Sequence, residues 1–105
     1  MSVSTHVLDS VTGRPASGIA VRLFAGEELL AEGVTDGDGR CRLSEGPTEV
    51  GIHRIVFATG AWFDAQGRET FYPEVVLSFV VREPTEHFHV PLLLAPFAYS
   101  TYRGS

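Results

Sequence analysis

Short segments in which apolar and polar residues alternate run along most of the chain, separated by glycine and proline. This period of two, together with many β-branched and aromatic residues, is typical of strands in an all-β sandwich. No long helical period is present, and we expect one short helix within residues 59–67. The pattern predicts eight strands, at residues 3–9, 19–25, 29–35, 40–43, 51–58, 74–82, 87–93 and 98–102.

Turn-forming residues occupy two stretches between these strands, residues 12–15 and residues 36–39. Glycine reaches positive φ at little cost, and the Asp side chain hydrogen-bonds to its own backbone, so both residues favour tight turns. We expect residues 36–39 to form a hairpin turn that places Arg40 at the start of the next strand. A guanidinium fixed there is suited to binding an anion.

Two strands direct histidines to a sheet face that points away from the predicted core. Because side chains alternate between the faces of a strand, Val3 faces the core and His6 faces outward. In the same way Phe88 faces the core, and His87 and His89 face outward. An outer sheet face is a poor place for a pocket unless another subunit covers it. We therefore expect a site between subunits.

Residues 92–97, Leu-Leu-Leu-Ala-Pro-Phe, are too apolar for the exposed edge of a monomer. A monomer of this length buries only about two thirds of its unfolded surface, so subunit contacts would add burial. Both observations predict an oligomer.

Length, composition and charge narrow the remaining possibilities. The chain has 105 residues, which fits one domain over residues 1–105. It carries 8 basic and 13 acidic residues with no basic cluster, which argues against nucleic acid as a partner. No apolar stretch approaches the ~20 residues of a membrane span. Cys41 is expected to be a buried small hydrophobe, and the absence of a secretory pattern at the first residues favours a cytoplasmic location.

The histidines allow two kinds of chemistry. Imidazoles two residues apart share a strand face, so His87 and His89 could ligate zinc together with His6, since zinc sites commonly use three histidines. The same side chains could instead serve as an acid and a base, and no carboxylate is placed to orient metal-bound imidazoles. The residues alone leave both alternatives open.

Four segments resemble the 5-hydroxyisourate hydrolase family, the enzyme relatives of transthyretin. They are residues 4–16 (STHVLDSVTGRPA), 35–40 (TDGDGR), 71–75 (FYPEV), and 89–96 (HVPLLLAP) with the terminal YRGS of residues 102–105. The last of these resembles the signature that separates the hydrolases from the hormone carrier. The family more often has Asn at position 36, Tyr at position 88 and Ser at position 95. We expect these departures to touch no candidate catalytic group.

The resemblance implies a transthyretin-like (prealbumin-like) eight-stranded β-sandwich with one short helix. It also implies a homotetramer, built as a dimer of dimers, with active sites at the interface between the dimers. No metal or cofactor is implied. The implied catalytic residues are His6, Arg40, His89 and Ser105, and the implied substrate-binding residues are His6, Arg40, Tyr102 and Arg103.

The reaction implied by the resemblance is the hydrolysis of 5-hydroxyisourate, the product of urate oxidation, to 2-oxo-4-hydroxy-4-carboxy-5-ureidoimidazoline in purine catabolism. A neutral imidazole of His6 or His89 would accept a proton from the attacking water. Arg40 would stabilise the negative charge that develops. Two alternatives are a zinc-dependent cyclic amide hydrolase and a transthyretin-like small-molecule-binding protein. The binding protein would lack His6, His89 and the terminal tetrapeptide.

Overall fold

A computed structural model of the protein describes residues 2–45 and 49–105. Within these residues the chain forms strands along most of its length and one short helix. In chain order the elements are β1 Ser2–Asp9, β2 Arg14–Pro15, β3 Ala20–Ala25, β4 Glu28–Val34, β5 Arg40–Ser44, β6 Gly51–Phe57, α1 Thr59–Asp64, β7 Val75–Val81, β8 His87–Ala95 and β9 Ala98–Thr101.

The strands form two sheets that face each other across a shared core. In the first sheet β1 pairs in parallel with β8 along its full length, and β9 continues the sheet beyond β8. The short strands β2 and β5 both pair with β1 in antiparallel fashion and share its other edge. The second sheet is antiparallel throughout, in the order β4-β3-β6-β7. The strands β7 and β9 are edge strands of the two sheets.

The predicted sandwich is confirmed, and all eight predicted strands are present with ends that move by at most two residues. The helix α1 lies within the predicted range. The strand β2 was not predicted, because its residues Arg14 and Pro15 were assigned to a turn. The turn lies earlier, at residues 10–13, where the carboxylate of Asp9 accepts hydrogen bonds from the backbone N–H groups of Val11 and Thr12.

The turn at residues 36–39 does deliver Arg40 to the start of a strand, but it is not a hairpin turn. The strand before it, β4, belongs to the second sheet, and the strand after it, β5, belongs to the first. The segment therefore crosses between the sheets and leaves Arg40 beside β1 rather than beside β4.

The predicted core faces of β1 and β8 are confirmed. Val3 and Val7 are fully buried, and Phe88 packs in the same core. Thr5 is also buried on this face, and its hydroxyl donates a hydrogen bond of 2.6 Å to the carbonyl of Val90, which satisfies a polar group that burial would otherwise penalise. Cys41 is buried in the same cluster, as expected.

The apolar run at residues 92–97 has a different explanation from the predicted one. Leu92 and Leu94 are buried in the core of the single chain, so most of the run requires no partner. Phe97 is the exception, with 62% of its surface exposed. Among the residues described, no helix has the length and apolar character needed to cross a membrane.

An ion pair ties the end of β1 to the segment after α1. Arg68 donates a hydrogen bond of 2.8 Å to Asp9, whose side chain is only 4% exposed. Burial alone would raise the pKa of Asp9, but the hydrogen bonds from Arg68 and from the N–H groups of Thr12 and Val11 outweigh it and hold the pKa below its ordinary value. The guanidinium also lies over the ring of Phe63, 4.9 Å from its centroid.

Replacing Asp9 by Ala is expected to destabilise the fold by about 2 to 3 kcal/mol at neutral pH, because several donors and one cation lose a buried partner. Since folding lowers the pKa of Asp9, its contribution is present above the unfolded value of about 3.9 and disappears as the pH falls through the folded value. Urea denaturation of Asp9→Ala and of the wild type across this pH range measures the difference. The exposed pair of Arg42 and Glu45 supplies the control, because Arg42→Ala is expected to change stability by less than about 1 kcal/mol.

Candidate active site

The parallel pairing of β1 with β8 creates a row of polar side chains on the outer face of the first sheet. Ser2 pairs with His87, Ser4 with His89, and His6 with Pro91. Because alternate residues of both strands face the core, this second set must face outward. His87 is exposed and His89 is half-buried. The outward direction predicted for the histidines is confirmed.

The turn before β5 fixes Arg40 beside this row. Arg40 pairs with His6 across β1 and β5. The carboxylate of Asp36 accepts hydrogen bonds of 2.9 Å from the backbone N–H groups of Arg40 and Asp38, which closes the turn and holds the pKa of Asp36 below its ordinary value. Gly39 adopts a φ of 75°, and a Cβ at this position would strike the carbonyl of Val7. Only glycine fits there.

The C-terminal residues continue beyond β9 along the edge of β8, in the same antiparallel register. Gly104 forms an isolated antiparallel bridge with His89, and its N–H donates a hydrogen bond of 2.8 Å to the carbonyl of His89. Arg103 donates 2.8 Å to the carboxylate of Glu86 and lies over the ring of Phe88, 4.7 Å from its centroid. These contacts place Ser105 beside His89.

The result is an open cavity of about 370 Å³ on the outer face of the first sheet. Three of the predicted catalytic residues, Arg40, His89 and Ser105, line this cavity together. Ser4 and Asp36 line it as well. A cation, an imidazole and a C-terminal residue are thus brought to one place from three distant parts of the chain.

The remaining predicted residues, His6, Tyr102 and Arg103, do not line this cavity. His6 pairs with Arg40 and is near enough to influence the pKa values of Asp36 and His89. Tyr102 and Arg103 line a second cavity of about 450 Å³, formed by β7, β8 and the C-terminal residues. The roles of His6, Tyr102 and Arg103 therefore stay predictions.

The surroundings of His89 favour its neutral form. Burial lowers the pKa of this imidazole, and the nearby positive charges of His87, His6 and Arg40 lower it further. The Nδ1 atom shares a hydrogen bond of 2.8 Å with the hydroxyl of Ser4. Nε2 has no hydrogen-bond partner among the described side chains, so a lone pair or a proton at this atom is available to a ligand.

The zinc alternative of His6, His87 and His89 does not form within one chain. Across residues 2–45 and 49–105, no three side chains of His, Cys, Asp or Glu are arranged to hold a metal ion. The rings of His87 and His89 are stacked instead, with centroids 6.3 Å apart and planes 13° from parallel.

Six residues that line the cavity are not among the predicted catalytic or substrate-binding residues: Ser4, Thr5, Asp36, Cys41, Arg42 and His87. The strand period already placed Ser4 on the outer face with His6, and His87 with His89. What was missing was the pairing of β1 with β8, which no local pattern gives. The expectation that the departures touch no candidate catalytic group is wrong at position 36, since Asp36 accepts a hydrogen bond from the backbone N–H of Arg40. Phe88 contacts Arg103, which was predicted to bind substrate and not to be catalytic.

Comparison with known proteins shows the family of this chain. The sequence model of the HIUase/Transthyretin family matches residues 3–104. The chain belongs to this family. A 5-hydroxyisourate hydrolase from Caulobacter vibrioides is 46% identical, over 98% of this chain and 97% of the relative.

Solved structures of the HIUase/transthyretin family have the same fold. The 5-hydroxyisourate hydrolase of Klebsiella pneumoniae superposes with a TM-score of 0.93 at 42% identity, covering 100% of both chains. A sea bream transthyretin in complex with thyroxine superposes with a TM-score of 0.86 at 30% identity, covering 97% of this chain and 93% of that chain.

The docking of the tail on His89 depends on the small size of Gly104, because a Cβ at this position would lie 2.5 Å from Cδ2 of His89. In Gly104→Ala we expect the tail to leave the ring, so the amide of residue 104 should exchange with solvent about tenfold faster. His89 should lose burial, and its pKa should rise toward the ordinary value. NMR exchange and titration measure both effects. In the control Gly37→Ala, where the new methyl meets open space, neither should change.

Proposed function

We propose that this protein hydrolyses 5-hydroxyisourate. The observation that carries the proposal is the convergence of Arg40, His89 and Ser105 in one cavity, to which the C-terminal residues run along the edge of β8. The relatives that match nearly the whole chain and are named 5-hydroxyisourate hydrolase support it. The same residues account for the steps of hydrolysis at a ring carbonyl.

In the proposed reaction His89 is the base. Its surroundings lower its pKa, so the imidazole is neutral at physiological pH, and Nε2 can accept a proton from an attacking water. Arg40 stabilises the negative charge that develops on the carbonyl oxygen, since a fixed cation interacts more strongly with the transition state than with the neutral ground state. Both groups line the same cavity.

The other predicted residues complete the proposed site. Ser105 lies in the cavity and orients the water or the planar substrate through its hydroxyl. His6, held beside Arg40, shares the proton transfer with His89. Tyr102 and Arg103 bind substrate from the tail, and the ion pair of Arg103 with Glu86 anchors the tail in place.

We also infer a homotetramer, a dimer of dimers, in which a second subunit covers the outer face of the first sheet. The cavity is open on this face, and an open site leaves the reacting groups in water, where electrostatic stabilisation is weak. Exposed apolar side chains on and near β9, such as Phe97 and Tyr99, support subunit contacts. Light scattering should give about four times 11.4 kDa, and an active monomer would contradict the shared site.

The activity itself is tested by adding the protein to urate oxidase and urate while the ultraviolet absorbance of the intermediate is followed. We expect 5-hydroxyisourate to disappear faster than in the control without the protein. We expect the same rate after exhaustive treatment with a chelator, because the proposed proton carriers are His6 and His89. An unchanged decay of the intermediate would overturn the function, and activity that is lost on chelation and restored by zinc would favour the metal-dependent alternative.

The pH dependence of kcat/KM tests the role of His89. Because protonated imidazole cannot accept a proton, kcat/KM should fall as the pH drops through the pKa of His89, which lies below the ordinary histidine value of about 6.5. His89→Asn should lower kcat/KM on the order of 10²- to 10⁴-fold and remove this acidic limb. A variant with an unchanged profile would exclude His89 as the base. Arg22→Gln on the opposite sheet is the control and should behave as the wild type.

A further inference from the structure

Two serines and two histidines on the outer face form one continuous hydrogen-bonded chain. Nδ1 of His89 shares a hydrogen bond of 2.8 Å with the hydroxyl of Ser4. The same hydroxyl shares a hydrogen bond of 3.3 Å with Nε2 of His87. Nδ1 of His87 shares a short hydrogen bond with the hydroxyl of Ser2. We call this set (Ser2, Ser4, His87 and His89) the Ser–His chain.

The Ser–His chain follows directly from strand register. The parallel pairing of β1 with β8 puts Ser2 opposite His87 and Ser4 opposite His89, so hydroxyls and imidazoles alternate along the face. One end, His89, lines the cavity, and the other end is Ser2, which bonds to His87, an exposed residue within one subunit. The chain thus connects the proposed base with bulk water.

The hydrogen bonds of the Ser–His chain can all point in one of two directions. In the first, His89 carries its proton on Nδ1 and donates to Ser4, Ser4 donates to His87, and His87 donates to Ser2. Nε2 of His89 then has a free lone pair and is a base. In the second direction every bond is reversed, and Nε2 of His89 carries a proton and is an acid. Neither direction places an imidazolium on His89.

We propose that the Ser–His chain carries protons between His89 and solvent, so that His89 acts first as base and then as acid without becoming an imidazolium. The proposal rests on the proposed hydrolysis. Ser4 and His87 act through His89 and are positioning residues.

Each of the two steps of the proposed reaction moves one proton through the Ser–His chain. When water attacks, its oxygen bonds to the carbonyl carbon, and Nε2 of His89 accepts a proton while one proton leaves the solvent end of the Ser–His chain. When the ring C–N bond breaks, Nε2–H protonates the departing nitrogen, and one proton enters from solvent. All hydrogen bonds of the Ser–His chain then point in the first direction again. The carboxylic acid product then ionises, so one turnover releases one proton in total.

The charges around His89 explain why such a chain would matter. Titratable or cationic groups lie near the ring on β1, β5 and β8, and one carboxylate lies in the turn before β5: His6, Arg40, His87 and Asp36. Burial, and then electrostatic interaction with His87, His6 and Arg40, lowers the pKa of His89, which makes its imidazolium costly. Transfer through Ser4 avoids that species.

Kinetics in dilute, non-imidazole buffer test the transfer. We expect Ser4→Ala and His87→Phe each to lower kcat/KM on the order of tenfold at pH 7. Added imidazole should restore most of the activity of His87→Phe, because a small base can take protons from the exposed end, and should have no effect on the wild type. Ser17→Ala, at an exposed serine in the loop before β3, is the matched control and should keep the wild-type rate. A purely structural defect in His87→Phe would not respond to imidazole.

The tautomer of His89 supplies a measurement that does not require activity. Nitrogen-15 NMR of the imidazoles should show the resting wild type with the proton on Nδ1 of His89, held there by Ser4. In Ser4→Ala this preference should be lost.

The outcomes separate the two proposals. A wild type with no hydrolase activity overturns the proposed function. The tautomer of His89 then still shows whether the hydrogen bonds have the direction that proton transfer through the Ser–His chain requires. An active wild type overturns the relay alone if Ser4→Ala and His87→Phe keep full rates, if imidazole fails to rescue His87→Phe, or if resting His89 carries its proton on Nε2.

Discussion

The parallel pairing of β1 with β8 is the constraint on which the rest of the structure depends. Its register aligns Val3 with Phe88 on the core side and Ser4 with His89 on the outer side, so one alignment sets both the packing and the chemistry. Because side chains alternate with a period of two, a slip by one residue would turn the valines outward and the histidines into the core. Burial of the apolar side chains therefore also holds the polar side chains of β1 and β8 on the outer face.

Two further segments complete what the register begins. The turn at Asp36 carries the chain from the second sheet to the first and leaves Arg40 beside His6. The C-terminal residues continue along the edge of β8 and bring Ser105 to His89. Neither segment contributes much to the core, so both are held by specific contacts: backbone hydrogen bonds to one carboxylate in the turn, and the ion pair of Arg103 with Glu86 in the tail. The site is thus formed by two segments whose positions are not held by packing in the core.

The sequence predicted the strands well because the alternation along β1 and β8 is strong, and it predicted the outward direction of His89 for the same reason. It did not predict β2, whose two residues carry turn chemistry and pair only because β1 offers a free edge. It also missed Ser4 and His87, although their strand faces were known, because a hydrogen bond between them depends on which strands are neighbours. The alternation of apolar and polar residues predicts on which face of a strand a side chain lies. Which strands pair, and in which register, is decided by the tertiary fold.

The four C-terminal residues, Tyr102–Ser105, contribute little to the stability of the fold and much to the proposed site. A chain that ends at Thr101 should therefore melt within a few degrees of the full chain. Its kcat/KM for 5-hydroxyisourate should fall on the order of 10²-fold, since loss of the tail exposes His89 and displaces the reacting groups. If the shortened chain keeps its activity to within about twofold, the tail is only a strand end and the proposed site is wrong.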